Sequence, residues 1–121
     1  MTVAEWNDKI KADCTEAGTY KTAFDRTIQT LAAILARRDE VAERYEAEGS
    51  EPVRVHTNKV GDEIARANPL LTLWNSLNTT ALSYWKELGL TPSGLKKINE
   101  NALKPKRKNI LSEALKELGD S

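Results

Sequence analysis

NPLLTLWNSLNTTALSYWKELGLTPSGLKKI, residues 68–98, is the stretch whose reading decides the fold. Asn68 can accept a hydrogen bond from a free amide at a helix start. Pro69 suits the first helical position, where no amide hydrogen is needed. Leu70, Trp74, Leu77, Ala81, Tyr84, Trp85 and Leu88 then recur every three or four residues, which makes one apolar face on a helix about five turns long. Gly89 stands where a left-handed C-terminal cap belongs, with Leu90 as its hydrophobic partner. Thr91-Pro92 repeats the start signal, so a second helix follows at once. Two of the three tryptophans and one of the three tyrosines lie here, so this stretch is expected to form much of the core.

Downstream, Leu95, Ile98 and Ala102 share one face of a short helix predicted to run from Pro92 to Leu103, with Lys96 and Lys97 on the other face. Lys104-Pro105-Lys106-Arg107-Lys108 reads as a basic linker, because proline and a charge run both oppose regular structure. Asn109 then caps a last helix bearing Ile110, Leu111, Ala114, Leu115 and Leu118, and Gly119 ends it. The expected organisation is a helical core and oligomerisation domain over 1–103, followed by a basic linker and C-terminal helix over 104–121.

Upstream, Thr2 and Glu5 make a capping box for a short helix carrying Trp6, Ile10 and Cys14, which Gly18 ends. Thr19 is the expected cap of a second helix. Tyr20, Phe24, Ile28, Leu31, Leu35, Ala42 and Tyr45 lie on one stripe, a heptad seam with Arg38 at the skipped apolar position. Neither glycine nor proline interrupts residues 20–48, so this helix is predicted to span about 28 residues, or roughly 40 Å. Arg37, Arg38 and Arg44 alternate with Asp39, Glu40 and Glu43, as on a solvated face with intrahelical pairs. Residues 49–60 alternate like a strand, and Pro52 points to an extended arm or edge strand. Residues 61–67 read as a loop.

The order Gly61, Asn68-Pro69, an aliphatic and aromatic helix, then Glu87-Leu88-Gly89-Leu90-Thr91-Pro92 resembles the small terminase subunits of tailed phages. The match is with the short, all-helical kind found in packaging modules that also encode an HNH endonuclease. It rests on the order and spacing of the whole stretch, covering about the second half of the chain. The resemblance implies a protein that is not an enzyme. Such a subunit recognises the packaging site in viral DNA, assembles as a ring, and recruits and regulates the large ATPase–nuclease subunit in the cytoplasm of the infected bacterium. The portal protein or the HNH endonuclease are further candidate partners. Many small terminases carry a separate N-terminal helix-turn-helix domain, and the first 18 residues are too short for one.

The bulk composition agrees with a soluble protein of one domain: 121 residues, 40% apolar and 30% charged, with 18 basic and 18 acidic side chains. Residues 1–50 hold 7 basic and 10 acidic groups, and residues 91–121 hold 7 and 4. An acidic front and basic back favour head-to-tail contact between subunits or an anionic partner, while ordinary solvation is the bland alternative. Cys14 is the single cysteine, so an intrachain disulfide is excluded and a reducing compartment is expected. Met1-Thr-Val-Ala-Glu has neither region of a signal peptide. No apolar run reaches the roughly 18 residues of a membrane span.

Catalytic and metal constellations are missing from the sequence. There is no phosphate-cradling Gly-x-x-x-x-Gly-Lys-Ser/Thr. His56 is the single histidine and has no Cys or His nearby, so no metal or cofactor is expected. Adjacent carboxylates at Asp39-Glu40 and Asp62-Glu63 point about 100° apart on a helix and do not converge. Cys14 reads as a small core residue. The one positive signal is the cluster Lys96, Lys97, Lys104, Lys106, Arg107 and Lys108, opposed by Glu100 alone. These six are the candidate contacts to the phosphates of double-stranded DNA. A solvated linker would look similar. Residues 81–98 also read as helix, tight turn, helix, which would place Ser93, Lys96 and Lys97 at a groove if it is a helix-turn-helix and leave them idle if it is a plain αα-corner.

The expected fold is all-α: a helical hairpin with one long helix, an extended connector, a central aromatic-rich helix and short C-terminal helices, forming a ring. The alternative function is a helical protein-interaction module, such as an antitoxin or a phage-encoded inhibitor, working without DNA.

Overall fold

The computed structural model describes residues 1–101 and 115–116. Its order is α1 (Val3–Ala17), a single 3-10 turn (Thr22–Phe24), α2 (Asp25–Ala47), β1 (Val53–Thr57), β2 (Glu63–Ala67) and α3 (Pro69–Glu87), followed by α4 over residues 92–101. The chain is mostly helical, as expected. The helix predicted beyond Asn109 falls largely outside the described residues.

Local chemistry starts and stops the helices. Thr2 accepts from the Glu5 amide at the head of α1. Asn68 accepts from the Leu70 amide at the head of α3, and Pro69 takes the first helical position. At the end of α3 the Gly89 amide donates to Lys86 and the Leu90 amide to Trp85. This double closure satisfies two otherwise unpaired carbonyls and requires the positive φ of 73° at Gly89. A Cβ at Gly89 would also lie 2.8 Å from the Ile98 side chain and 2.9 Å from the Thr19 side chain, so both would have to shift.

Helix α2 is the centre of the molecule, and this corrects the expectation that α3 forms much of the core. It packs against both α1 and α3, and it contributes Ile28, Leu31, Ala32, Leu35, Ala36 and Val41 to the buried set. Alanines at 32 and 36 widen the apolar stripe beyond the heptad seam, which lets a second neighbour approach. Helix α1 adds Ile10 and Cys14, while α3 adds only Ala81, with Leu88 just past its end. Tyr84 and Trp85 pack against this core half-buried, and Trp74 is half-buried towards the other end of α3. Large rings on a three-helix surface reach its edge before they can be enclosed.

The second helix also begins later than the sequence suggests. Thr19 is buried and does not cap it. Its hydroxyl donates to the Cys14 carbonyl of α1. The chain makes a 3-10 turn first, and Tyr20 donates to Asp25 across that turn. Helices α2 and α3 run antiparallel, since Arg38 meets Asn78 while Ala42 and Tyr45 border the same notch as Leu71 and Trp74.

Residues 63–67 form a strand where a loop is expected, and Gly61 and Asp62 stay in the turn before it. β1 and β2 pair antiparallel with Val53 opposite Ala67, Arg54 opposite Arg66, Val55 opposite Ala65 and His56 opposite Ile64. Asn58 builds the turn by accepting from the amides of Val60 and Asp62. At the base of this ribbon, buried Asn68 donates to the Glu51 carbonyl from its side chain and to Pro52 from its backbone. Arg54 is ion-paired with Glu48 at the end of α2.

Candidate nucleic-acid interface

Helix α4 positions the described part of the basic cluster. Thr91 accepts from the Gly94 amide and caps α4, with Pro92 at its first position. Leu95 and Ile98 turn inward and leave Lys96 and Lys97 exposed, as their spacing requires. The helix is held tightly against the end of α3. A Cβ built on Gly94 would lie 2.2 Å from the Lys86 carbonyl oxygen, so only glycine allows this approach.

The fold-back creates an open cleft of about 400 Å³ lined by Lys86, Glu87, Ser93, Gly94, Lys97 and Ile98, among others. Lys86 therefore joins Lys97 at one surface. Sequence reasoning missed Lys86 because it belongs to α3, and only the tight turn at Gly89 brings it round. Ser93, Lys96 and Lys97 are exposed together, as either a helix-turn-helix or an αα-corner would have them. Lys104, Lys106, Arg107 and Lys108 lie outside the described residues. Lysine ammonium groups at such a surface can neutralise phosphates but carry no base-reading geometry of their own.

The arginines of α2 are differently employed. Arg38 stacks over the Trp6 ring at 5.8 Å, donates to Asn78 and lies 3.6 Å from Asp39. It thus links all three long helices while keeping the expected pair within α2, so what differs from the expectation is that the position is partly buried and not a solvated face. Arg44 does pair with Glu48 one turn on. Asp39 accepts from the Trp6 indole at 2.7 Å. Burial pushes the Asp39 carboxyl up, but the Trp6 hydrogen bond, the Met1 amino group and Arg38 outweigh it and hold it below the usual carboxylate range. Cys14 is buried in the core, and burial pushes its thiol up. His56 is exposed on β1. Among the described residues no three His, Cys, Asp or Glu side chains gather to hold a metal. No helix among them is long and apolar enough to cross a membrane.

The architecture is a helical scaffold that displays a lysine-bearing surface at one helical corner. The family described as "Phage terminase, small subunit" matches residues 3–104, and the chain belongs to that family. No curated protein and no solved structure matches the chain significantly.

Proposed function

We propose that this chain is a regulatory, non-enzymatic component of a DNA-packaging motor. It binds double-stranded viral DNA at the packaging site and recruits the large terminase ATPase–nuclease in the cytoplasm of the infected host. It acts as a closed ring of identical subunits, with residues 1–103 as core and assembly domain and 104–121 as basic linker and terminal helix. The family match over residues 3–104 is the observation that carries this reading. The exposure of Lys96 and Lys97 beside Lys86 supports DNA contact from this corner. Lys104, Lys106, Arg107 and Lys108 extend the same cationic run along the chain.

The test is salt-dependent binding to packaging-site DNA. Each phosphate neutralised contributes about 0.9 to the slope of log affinity against log salt. If three to five of the six cations make contact, the slope is roughly −3 to −5 per subunit, and a ring multiplies it. Replacing Lys104, Lys106, Arg107 and Lys108 with Gln is expected to weaken binding to all sequences and flatten the slope, with helix content unchanged. Equal binding by parent and variant at every salt concentration would refute this contact set.

A further inference from the structure

Beyond the Asn68 and Arg54–Glu48 contacts at its base, the β1–β2 ribbon has little to stabilise it inside one subunit. Neither strand packs substantially on a helix, and Val53 and Val55 are 46% and 60% exposed. Two-stranded hairpins are marginal in water without a covering layer. One face of this ribbon presents Val53, Val55, Ala65 and Ala67. The other presents Arg54 directly opposite Arg66. Like charges across a strand pair repel unless an anion lies nearby. Glu48 serves Arg54, and among the described residues Arg66 has no such partner.

A surface of complementary character lies elsewhere on the same molecule. An open groove of about 620 Å³ runs between the start of α1 and the middle of α2. Its α1 wall carries Met1, Val3 and Glu5, and its α2 wall carries Ala36, Asp39, Glu40 and Glu43. Val3 is 47% exposed. Glu40 and Glu43 are exposed and have no ion pair among the described residues. One wall thus offers apolar surface at its lip, and the other offers carboxylates.

We infer that the β1–β2 ribbon of one copy inserts edge-on into the α1–α2 groove of a second copy. The valine face meets Met1 and Val3, and the Arg66 face meets Glu40 and Glu43. Ribbon and groove are different patches of one chain, so the contact is head-to-tail and closes into a ring when the rotation permits. Charge complementarity selects a second copy over DNA. The ribbon and its turn carry Arg54, Lys59 and Arg66 against Asp62 and Glu63, which is a poor match for a polyanion. The groove instead offers Glu40 and Glu43, which lack an ion pair among the described residues, to Arg66, which lacks one too, while Asp39 is already held by the Met1 amino group and Arg38. The inference deepens the assembly part of the proposed function and rests on it.

Sedimentation velocity without DNA, at tens of micromolar protein, tests the contact. The parent is expected to sediment as an oligomer. Glu40→Lys/Glu43→Lys alters only the groove, and Val55→Asp/Arg66→Glu alters only the ribbon. Each is expected to shift the protein to monomer while circular dichroism keeps the parent's helix content, because all four side chains are exposed. A one-to-one mixture of the variants is expected to form a heterodimer, since the intact ribbon of the groove variant fits the intact groove of the ribbon variant. Parent-like assembly by each variant alone, or a mixture of folded variants that stays monomeric, overturns the inference while leaving ring formation standing. Ribbon variants that assemble normally but lose DNA binding would show that the ribbon faces DNA, and would overturn it too. A monomeric parent overturns both the inference and the ring.

Discussion

Gly94→Ala sets two effects of opposite sign against each other. In an ordinary helix position alanine is favoured over glycine by about 1 kcal/mol, because the unfolded glycine has more backbone freedom to lose. In α4 the added methyl would stand 2.2 Å from the Lys86 carbonyl oxygen and 2.9 Å from the Lys86 Cα and carbonyl carbon. These are backbone atoms at the last turn of α3, so no side-chain rotation relieves the contact. Restoring a normal separation requires α4 to retreat by about 1 Å, which breaks the fit of Leu95 and Ile98. Overpacking of this kind costs about 1–3 kcal/mol. The clash wins, and the expected outcome is a net loss of about 1 kcal/mol or detachment of α4 alone. Urea unfolding followed by circular dichroism reads the first. Amide exchange over residues 92–101 reads the second. Ser93→Ala, at the exposed neighbouring position, serves as control and should change stability by less than about 0.5 kcal/mol. If Gly94→Ala is stabilised by the full propensity gain and its α4 amides keep parent protection, the close approach of α4 to α3 is refuted, and with it the surface shared by Lys86 and Lys97.

Two further outcomes follow from the core and from its polar clasp. Leu31→Ala, at a fully buried position of α2, should cost about 3–5 kcal/mol in urea unfolding, and Trp74→Ala should cost clearly less in the dissociated subunit because that ring is half-exposed. Equal losses would restore α3 as the main anchor. Trp6→Phe removes the indole donor to Asp39 and should cost about 1–2 kcal/mol near neutral pH. Because the folded carboxyl lies below its ordinary value near 3.9, its contribution is present above that pH and disappears as pH falls through the folded value. The variant should therefore lose less stability than the parent between neutrality and strongly acid pH, and parallel pH curves would contradict the role of Asp39.

Except at Thr19, whose hydroxyl turns back to α1, caps were legible in the sequence because they are made within a few residues. Thr2, Asn68-Pro69 and Gly89 each act at the position where their chemistry appears. Strand β2 was not legible, since Glu-Ile-Ala-Arg-Ala lacks the alternation of Val53-Arg54-Val55-His56 and reads as well as loop or helical turn. The aromatic residues of α3 point to a core centred there, but Trp74, Tyr84 and Trp85 are only partly buried, because ring size is not burial. Small residues such as Ala32 and Ala36, which let two helices approach α2, carry little signal alone. Similar limits apply at the candidate interface. Leu95 and Ile98 predict that Lys96 and Lys97 face outward, whereas Lys86 and the linking role of Arg38 depend on packing between distant segments.

The two fastenings of the ribbon differ in kind, and that difference has a mechanical consequence. Asn68 is a buried amide whose bonds to Glu51 and Pro52 neither titrate nor feel added salt. Arg54 and Glu48 form a partly exposed ion pair that salt screens. As ionic strength rises the outer latch slackens while the inner pivot holds, and the ribbon gains freedom to swing about the start of α3 without coming loose from it.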